Sequence, residues 1–171
     1  MRDCYISAAG NIRPEENILE ALLQLQELFP IRAISGFYRT AAIGRPEQPD
    51  YLNGVVSILY DGDPKRLKFE VLRPIEAALG RQRSGDSYAA RPVDLDILLC
   101  GDLVMDDPEL QLPDPDILQR PFLAAGLLEL NADLVIPGTA LTLKTLITKE
   151  QLESLERDTP FTKTLHERLS I

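Results

Sequence analysis

Two aspartates, Asp94 and Asp96, lie two residues apart in the apolar segment Pro92 to Leu99. Because side chains two apart on a strand point to the same face, both carboxylates converge on one spot, while Leu95 and Ile97 point into the core. Such a pair attracts a hard, oxygen-preferring cation, and Mg²⁺ is the natural one where phosphates supply further ligands. The alternative is an alternating edge strand with a solvated acidic face.

Three arginines, Arg81, Arg83 and Arg91, precede Asp94 by 13, 11 and 3 residues. Guanidinium groups aimed at phosphate oxygens, together with a metal ion, stabilise the charge that develops during phosphoryl transfer. The pattern therefore indicates phosphoryl chemistry, although ordinary surface ion pairs with the aspartates are the alternative. A glycine-rich phosphate loop of the Walker type is absent from the sequence.

A long loop, residues 39 to 50, contains one glycine and two prolines and precedes a strand that begins near Tyr51. Tyr51 and Asn53 share one face of that strand, so an aromatic plane stands beside an amide. A flat heterocycle can stack on the ring and pair with the amide. Each residue taken alone could equally serve packing or a turn.

The elements that would position these residues follow the order βαββαβ. Proline opens both helices, at Pro14 and at Pro64 after the candidate cap Asp63, and Gly80 ends the second one. We therefore predict an α+β, ferredoxin-like sandwich, in which an antiparallel sheet carries helices on one face and helical additions follow at the C-terminus. The predicted strands are residues 4–8, 31–38, 51–60 and 92–99.

Length and composition favour a single domain over residues 1–171, with residues 149–171 as a charged, helix-prone appendage. Cys4 and Cys100 lie in apolar strand segments and are expected to be reduced core residues. No apolar run is long enough to span a bilayer, so we expect a cytoplasmic protein without a membrane partner. No exposed apolar stripe indicates a partner subunit, and a monomer is the default expectation.

The net charge of −9 argues against general binding of nucleic acid, which requires clustered lysines and arginines. It also argues against a ferredoxin-like RNA-binding module, because such a module needs basic and aromatic residues on its central strands. His166, the one histidine, falls in a polar stretch near the C-terminus. Histidine base catalysis and histidine metal sites are therefore not expected.

Over residues 4 to 147 the chain resembles the 6-hydroxymethyl-7,8-dihydropterin pyrophosphokinase family of folate biosynthesis. The resemblance implies ATP as co-substrate, two Mg²⁺ ions, and attack of the pterin hydroxymethyl oxygen on the β-phosphorus of ATP with release of AMP. Its carriers, in chain order, are Gly10-Asn11, Ser35-Gly36-Phe37-Tyr38-Arg39-Thr40, Gln48-Pro49-Asp50-Tyr51-Leu52-Asn53, Glu76 with Gly80-Arg81-Gln82-Arg83, Arg91-Pro92-Val93-Asp94-Leu95-Asp96, and Arg120-Pro121-Phe122.

The same resemblance assigns residues to roles. Asp94 and Asp96 would bind the metal ions, and with Arg81 and Arg91 they form the catalytic set. The implied pterin-binding residues are Thr40, Ile43, Gly44, Tyr51, Asn53 and Phe122. The implied ATP-binding residues are Glu76, Arg81, Arg83, Arg91, Asp114 and Arg120.

Several positions depart from the family pattern on the nucleotide side. Asp114 and Pro115 stand where the family commonly has a histidine and an aromatic residue, and Glu109 stands where a basic residue is familiar. Carboxylates at these positions would repel an anionic triphosphate. A pterin-binding relative with weakened or lost kinase activity is therefore the competing hypothesis.

Overall fold

The computed structural model describes residues 1–171 and contains a six-stranded antiparallel sheet. The strands are β1 (Arg2–Gly10), β2 (Ile31–Ile34), β3 (Tyr38–Thr40), β4 (Tyr51–Tyr60), β5 (Asp94–Cys100) and β8 (Glu156–Arg157), and a separate hairpin contains β6 (Met105–Asp107) and β7 (Leu110–Leu112). The strands β5, β1, β4 and β2 lie side by side in that order, and helices connect β1 to β2 and β4 to β5. This is the predicted ferredoxin-like βαββαβ arrangement.

Both predicted crossing helices are present. Helix α1 (Pro14–Leu28) begins at its proline, and the second begins at Pro64, where the Asp63 carboxylate accepts from the Lys65 backbone N–H. The second helix has three parts: α2 (Pro64–Arg66), a π-helical segment (Leu67–Leu72) and α3 (Arg73–Ala78). Pro74 explains the widening, because proline has no N–H to donate and its ring crowds the carbonyl four residues earlier.

The predicted second strand, 31–38, is interrupted. Residues 35–37 separate β2 from β3, because the Val55 backbone N–H donates to the Ser35 hydroxyl instead of to a strand carbonyl. The Phe37 ring lies against Gly54, where any Cβ would fall within 2.4 Å of it. The interruption lets β3 pair with β4 on its own, bringing Thr40 opposite Tyr51.

The C-terminal additions cover both faces of the sheet. Helix α5 (Pro121–Leu130) packs on one face, where Gly126 meets Val55 closely. Helix α7 (Thr159–Leu169) joins α1 on the opposite face, and its Phe161 ring contacts Phe37 edge to face at 5.4 Å. The remaining short helices are α4 (Asp116–Gln119), the 3₁₀ turn Leu143–Thr145 and α6 (Lys149–Glu153).

The expectation for the two cysteines was wrong. Cys4 and Cys100 are direct partners across β1 and β5, their Cα atoms lie 4.0 Å apart, and they form a disulfide between buried side chains. The 96 residues that separate them in sequence hid the pairing, which only the strand register reveals. Because both thiols are oxidised, they give no support for a reducing compartment. No helix has the length and apolar character that a bilayer crossing needs.

Candidate active site

The two aspartates lie at the start of β5, opposite β1. Asp94 pairs with Ala9 and Asp96 with Ser7, so both side chains lie on the α5 face of the sheet. Between them Leu95 is 2% exposed, as the alternation predicted. The sequence prediction of a converging carboxylate pair on this strand is consistent with that geometry.

Asp96 is a carboxylate without a partner. Neither of its oxygens makes a hydrogen bond or an ion pair within the protein, although the side chain borders three adjoining clefts. The surrounding protein and the charges of Asp94, Glu76 and Asp114 raise the pKa of Asp96 to about 7. A cation placed beside Asp96 would remove this unfavourable charge.

Asp94, in contrast, is held by two arginines. Arg91 Nη1 lies 2.6 Å from Asp94 Oδ2, and Arg81 Nη1 lies 3.2 Å from Asp94 Oδ1. Asn11, which directly follows β1, helps to hold Arg91 in place, since the Arg91 backbone N–H donates to Asn11 Oδ1. Arg81, Arg91 and Asp94 of the predicted catalytic set therefore meet beside the unpartnered carboxylate of Asp96.

The donor set fits a divalent cation only in part. No group of three histidine, cysteine or acidic side chains has metal-binding geometry, so an ion held by the two aspartates would need further ligands from outside the protein. Mg²⁺ is bound in this manner at phosphate sites, by one or two carboxylates together with phosphate and water oxygens. The unpartnered, raised-pKa carboxylate of Asp96 fits such an ion.

One cleft, of about 460 Å³, extends from the aspartates over the aromatic residues. We call it the reaction cleft; the predicted residues Thr40, Ile43, Tyr51, Asn53, Arg91, Asp94, Asp96, Arg120 and Phe122 all line it. Asn53 Nδ2 donates to Thr40 Oγ1 at 2.8 Å, which fixes the amide and leaves Oδ1 without a protein donor. Gly44, with φ of +68°, does not line the cleft.

Two loops meet over this cleft. Arg45 of the loop after β3 forms an ion pair with Asp86 of the loop before β5, with Nη2 and Oδ2 2.8 Å apart. Gln48 adds a second contact, because its amide donates to the Tyr88 carbonyl at 2.9 Å. These contacts join the loop 81–90 to the loop 39–50.

A second cleft, of about 640 Å³, lies between the β6–β7 hairpin and the π-helical segment; we call it the hairpin cleft. Asp114 lines it, and burial raises the pKa of this carboxyl. Asp96 lines both clefts and is the point at which they meet. Lys68, which the sequence analysis did not single out, also lines the hairpin cleft.

Three of the predicted ATP-binding residues, Glu76, Arg81 and Arg83, line neither cleft. Glu76 is 1% exposed and accepts a hydrogen bond from the Leu95 backbone N–H, which anchors β5 beside the aspartates. Arg83 forms an ion pair with Glu76, whose pKa is raised by burial. The structure thus places Glu76 behind β5, and contact with ATP stays a prediction for all three residues.

Sequence comparison links the chain to one family. A sequence model of 7,8-dihydro-6-hydroxymethylpterin-pyrophosphokinase (HPPK) matches residues 5–132. A 2-amino-4-hydroxy-6-hydroxymethyldihydropteridine pyrophosphokinase from Haemophilus influenzae is 34% identical over 142 residues, 81% of this chain and 88% of the relative. The enzyme of the same name from Synechocystis sp. is 33% identical, over 83% of this chain and 73% of the relative.

Structural comparison supports the same fold. Plasmodium falciparum HPPK-DHPS, wild type with pteroate, superposes with a TM-score of 0.62 at 13% identity, covering 99% of this chain. The match covers 44% of the solved chain, so the present chain spans less than half of that protein. At this identity the likeness concerns the fold alone.

Proposed function

The chain belongs to the 7,8-dihydro-6-hydroxymethylpterin-pyrophosphokinase family, and from that premise we propose how its own residues carry out the reaction. The activity is transfer of a diphosphate group from ATP to the hydroxymethyl group of 6-hydroxymethyl-7,8-dihydropterin, a step of folate biosynthesis. The hydroxymethyl oxygen bonds to the β-phosphorus of ATP as the bond from that phosphorus to the α,β-bridging oxygen breaks. The bridging oxygen leaves with AMP.

The observation that carries this proposal is the junction of two clefts at one carboxylate pair. The reaction cleft can hold a flat heterocycle beside Tyr51 and Phe122, and the hairpin cleft has room for a nucleoside. Asp96 borders both. A donor and an acceptor bound in the two clefts would therefore meet at Asp94 and Asp96, as a direct in-line transfer requires.

We propose that Asp94 and Asp96 hold two Mg²⁺ ions together with ATP. When bound, Mg²⁺ supplies positive charge that offsets the phosphate charge in the transition state. The unpartnered Asp96 carboxylate, surrounded by Asp94, Glu76 and Asp114, supports this assignment. Two carboxylates leave most coordination positions for phosphate and water oxygens, which suits a site that assembles with its substrate.

The arginines are proposed to change partners when substrates bind. Arg81 and Arg91 now bond to Asp94, which is also a proposed metal ligand. An arriving cation would neutralise Asp94, and the two guanidinium groups would then pair with phosphate oxygens. Arg120, which lines the reaction cleft and pairs with Asp116, would approach the same phosphates from the start of α5.

The pterin is proposed to stack between Tyr51 and Phe122. Both rings line the reaction cleft, one from β4 and one from the first turn of α5. Asn53 Oδ1 is free to accept from a ring N–H or amino group, because the amide nitrogen is already committed to Thr40 Oγ1 and the Tyr38 carbonyl. This fixed amide would orient the ring with its hydroxymethyl group toward the aspartates.

We further propose a cytoplasmic monomer that acts as a single unit over residues 1–171. The need for ATP supports the cytoplasm, and the acidic net charge of −9 supports the absence of a nucleic-acid partner. Packing of residues 149–171 onto the same sheet, through β8 and α7, supports the single unit.

The competing function, a pterin-binding relative without kinase activity, is favoured by one observation: Asp114 and Glu109 line the hairpin cleft. Nothing in the comparisons favours it. Purified protein should therefore be incubated with 6-hydroxymethyl-7,8-dihydropterin, ATP and Mg²⁺, and the nucleotides separated by chromatography. Equal amounts of AMP and diphosphorylated pterin are expected. ADP would indicate monophosphate transfer, and bound pterin without turnover would indicate the inactive relative.

A further inference from the structure

The hairpin cleft has an unusual charge for a nucleotide site. Five carboxylates and a single cation, Lys68, are among its lining residues. Two of the carboxylates are neutralised from outside, because Lys65 Nζ lies 2.6 Å from Asp107 and 3.3 Å from Glu109. The other three, Asp96, Asp106 and Asp114, have no lysine or arginine partner. An anionic nucleotide would meet net repulsion here unless a cation lies within reach.

Lys68 is that cation, and the helix geometry explains why it reaches the cleft. It belongs to the π-helical segment that precedes Pro74, where the Arg73 N–H donates to the Lys68 carbonyl five residues back. The wider turn changes which side chains face β5 and the hairpin. Lys68 Nζ donates to the Glu109 backbone carbonyl, which fixes the ammonium group at the mouth of the cleft.

The charge of Lys68 is not cancelled by an ion pair. No carboxylate oxygen lies within salt-bridge distance of its Nζ; its hydrogen-bond partner is a neutral carbonyl. Lys68 lines the hairpin cleft together with Asp96 and Asp114, neither of which has a lysine or arginine partner. A partly buried ammonium with an uncommitted charge is suited to bind a phosphate oxygen.

We propose that Lys68 is an affinity-determining residue for the nucleotide, binding a phosphate oxygen of ATP in the hairpin cleft. This inference rests on the proposed function, which puts the pterin in the reaction cleft and so directs the nucleotide to the other side of Asp96. Lys68 takes over the role for which Glu109 and Asp114 are unsuited. The family resemblance alone does not assign it.

The test compares three single substitutions in the steady-state reaction. Lys68→Gln should raise the KM for ATP about tenfold or more, because a hydrogen bond to a charged group is lost. The KM for the pterin should stay unchanged, and Lys68→Arg should retain most of the ATP affinity. Arg66→Gln is the matched control: it removes the same charge from the same helix, but Arg66 pairs with Glu70 and does not line the cleft.

An equal rise in the KM for ATP in Lys68→Gln and Arg66→Gln would overturn the proposal, since net charge alone would then explain the effect. An unchanged KM for ATP in Lys68→Gln, or an equal rise in both substrate KM values, would also overturn it. Thermal unfolding of each variant identifies loss of fold. As a second readout, Asp114→Asn should partly restore ATP affinity to Lys68→Gln, because it removes a carboxylate that the lysine offsets.

Titration with a non-hydrolysable ATP analogue keeps this inference separate from the proposed function. If the unmodified protein shows no turnover, the proposed reaction fails, and the analogue still measures nucleotide affinity in each variant. Weaker analogue binding in Lys68→Gln than in Arg66→Gln supports the role of Lys68. Equal binding in both variants rejects that role whatever the turnover.

Discussion

Arg91 Nη1 lies 2.6 Å from Asp94 Oδ2, so an arginine expected to bind phosphate is held on a carboxylate expected to bind metal. Both side chains are largely shielded, at 17% and 19% exposure, which strengthens the pair relative to a surface ion pair. In the proposed mechanism, a metal ion would compete with Arg91 for Asp94 Oδ2. Metal binding would then be coupled to release of Arg91 toward the phosphates.

Substitution of Arg91 should separate these two effects. Arg91→Ala removes one of the two guanidinium partners of Asp94 and leaves Arg81 in place, so Mn²⁺ binding without nucleotide should tighten about two- to fivefold, as measured by electron paramagnetic resonance. Turnover should fall about 100-fold or more, because a charge that stabilises the transition state is lost. Arg13→Ala, which removes an exposed charge at the start of α1, is the control. Weaker Mn²⁺ binding in Arg91→Ala would contradict the competition.

The pH dependence of stability should reveal the unpartnered carboxylate. The pKa of Asp96 is raised from 3.8 to about 7, so the native state binds a proton that the unfolded chain has already lost. Stability from this group is thus present below about pH 4 and is lost as pH rises through about 7. Asp96→Asn removes the ionisation, and in EDTA it should raise the melting temperature more at pH 8 than at pH 5.

The same variant should have almost no turnover, since the amide cannot replace a carboxylate at the metal site. Asp102→Asn, at an exposed position in the turn after β5 and outside both clefts, serves as the control for a general change of charge. A melting-temperature difference between Asp96→Asn and the unmodified protein that is the same at both pH values would contradict the assigned pKa. An active Asp96→Asn enzyme would contradict the metal assignment.

The stacking role of Tyr51 predicts a selective loss of pterin affinity. Tyr51→Ala removes one of two proposed stacking surfaces, which should cost about 1–3 kcal/mol, or about 5- to 150-fold in pterin affinity. Fluorescence titration of the pterin and of a non-hydrolysable ATP analogue gives the two affinities separately. Tyr51→Phe keeps the ring and should bind pterin nearly as well. Equal losses for pterin and nucleotide in Tyr51→Ala would count against stacking.

The C-terminal helix should contribute to global stability. Leu165 of α7 is fully buried in the main core, with Phe161 and Leu169 on the same helix. Leu165→Ala should lower the free energy of unfolding by about 2–5 kcal/mol in urea denaturation. Lys163→Ala, whose side chain is 76% exposed, should change it by less than about 0.5 kcal/mol. A Leu165→Ala protein as stable as Lys163→Ala would show that α7 is a loosely attached appendage.

Local rules explain why the sequence alone predicted most of the fold. Pro14 and Pro64 mark helix starts, Gly80 with φ of +88° marks a helix end, and alternation around Leu95 defines β5. These signals act over a few residues and survive in the folded state. The ferredoxin-like order follows from their sequence along the chain.

What could not be predicted depends on contacts between distant segments. The disulfide partners Cys4 and Cys100 are 96 residues apart and meet only through the strand register. The interruption of the second strand requires the Ser35 hydroxyl to meet the Val55 N–H of another strand. Lys68 was missed because it reaches the hairpin cleft through a π-helical segment and a separate hairpin, although Pro74 is a sequence signal for the irregular helix.

The direct test of the central claim is to follow the β-phosphate of ATP through the reaction. ATP labelled with ³²P at the β position should be incubated with the protein, Mg²⁺ and 6-hydroxymethyl-7,8-dihydropterin, and the products separated by thin-layer chromatography. Diphosphate transfer predicts that the label moves to the pterin and that unlabelled AMP forms in equal amount. Label that remains on a nucleotide as ADP would contradict the account.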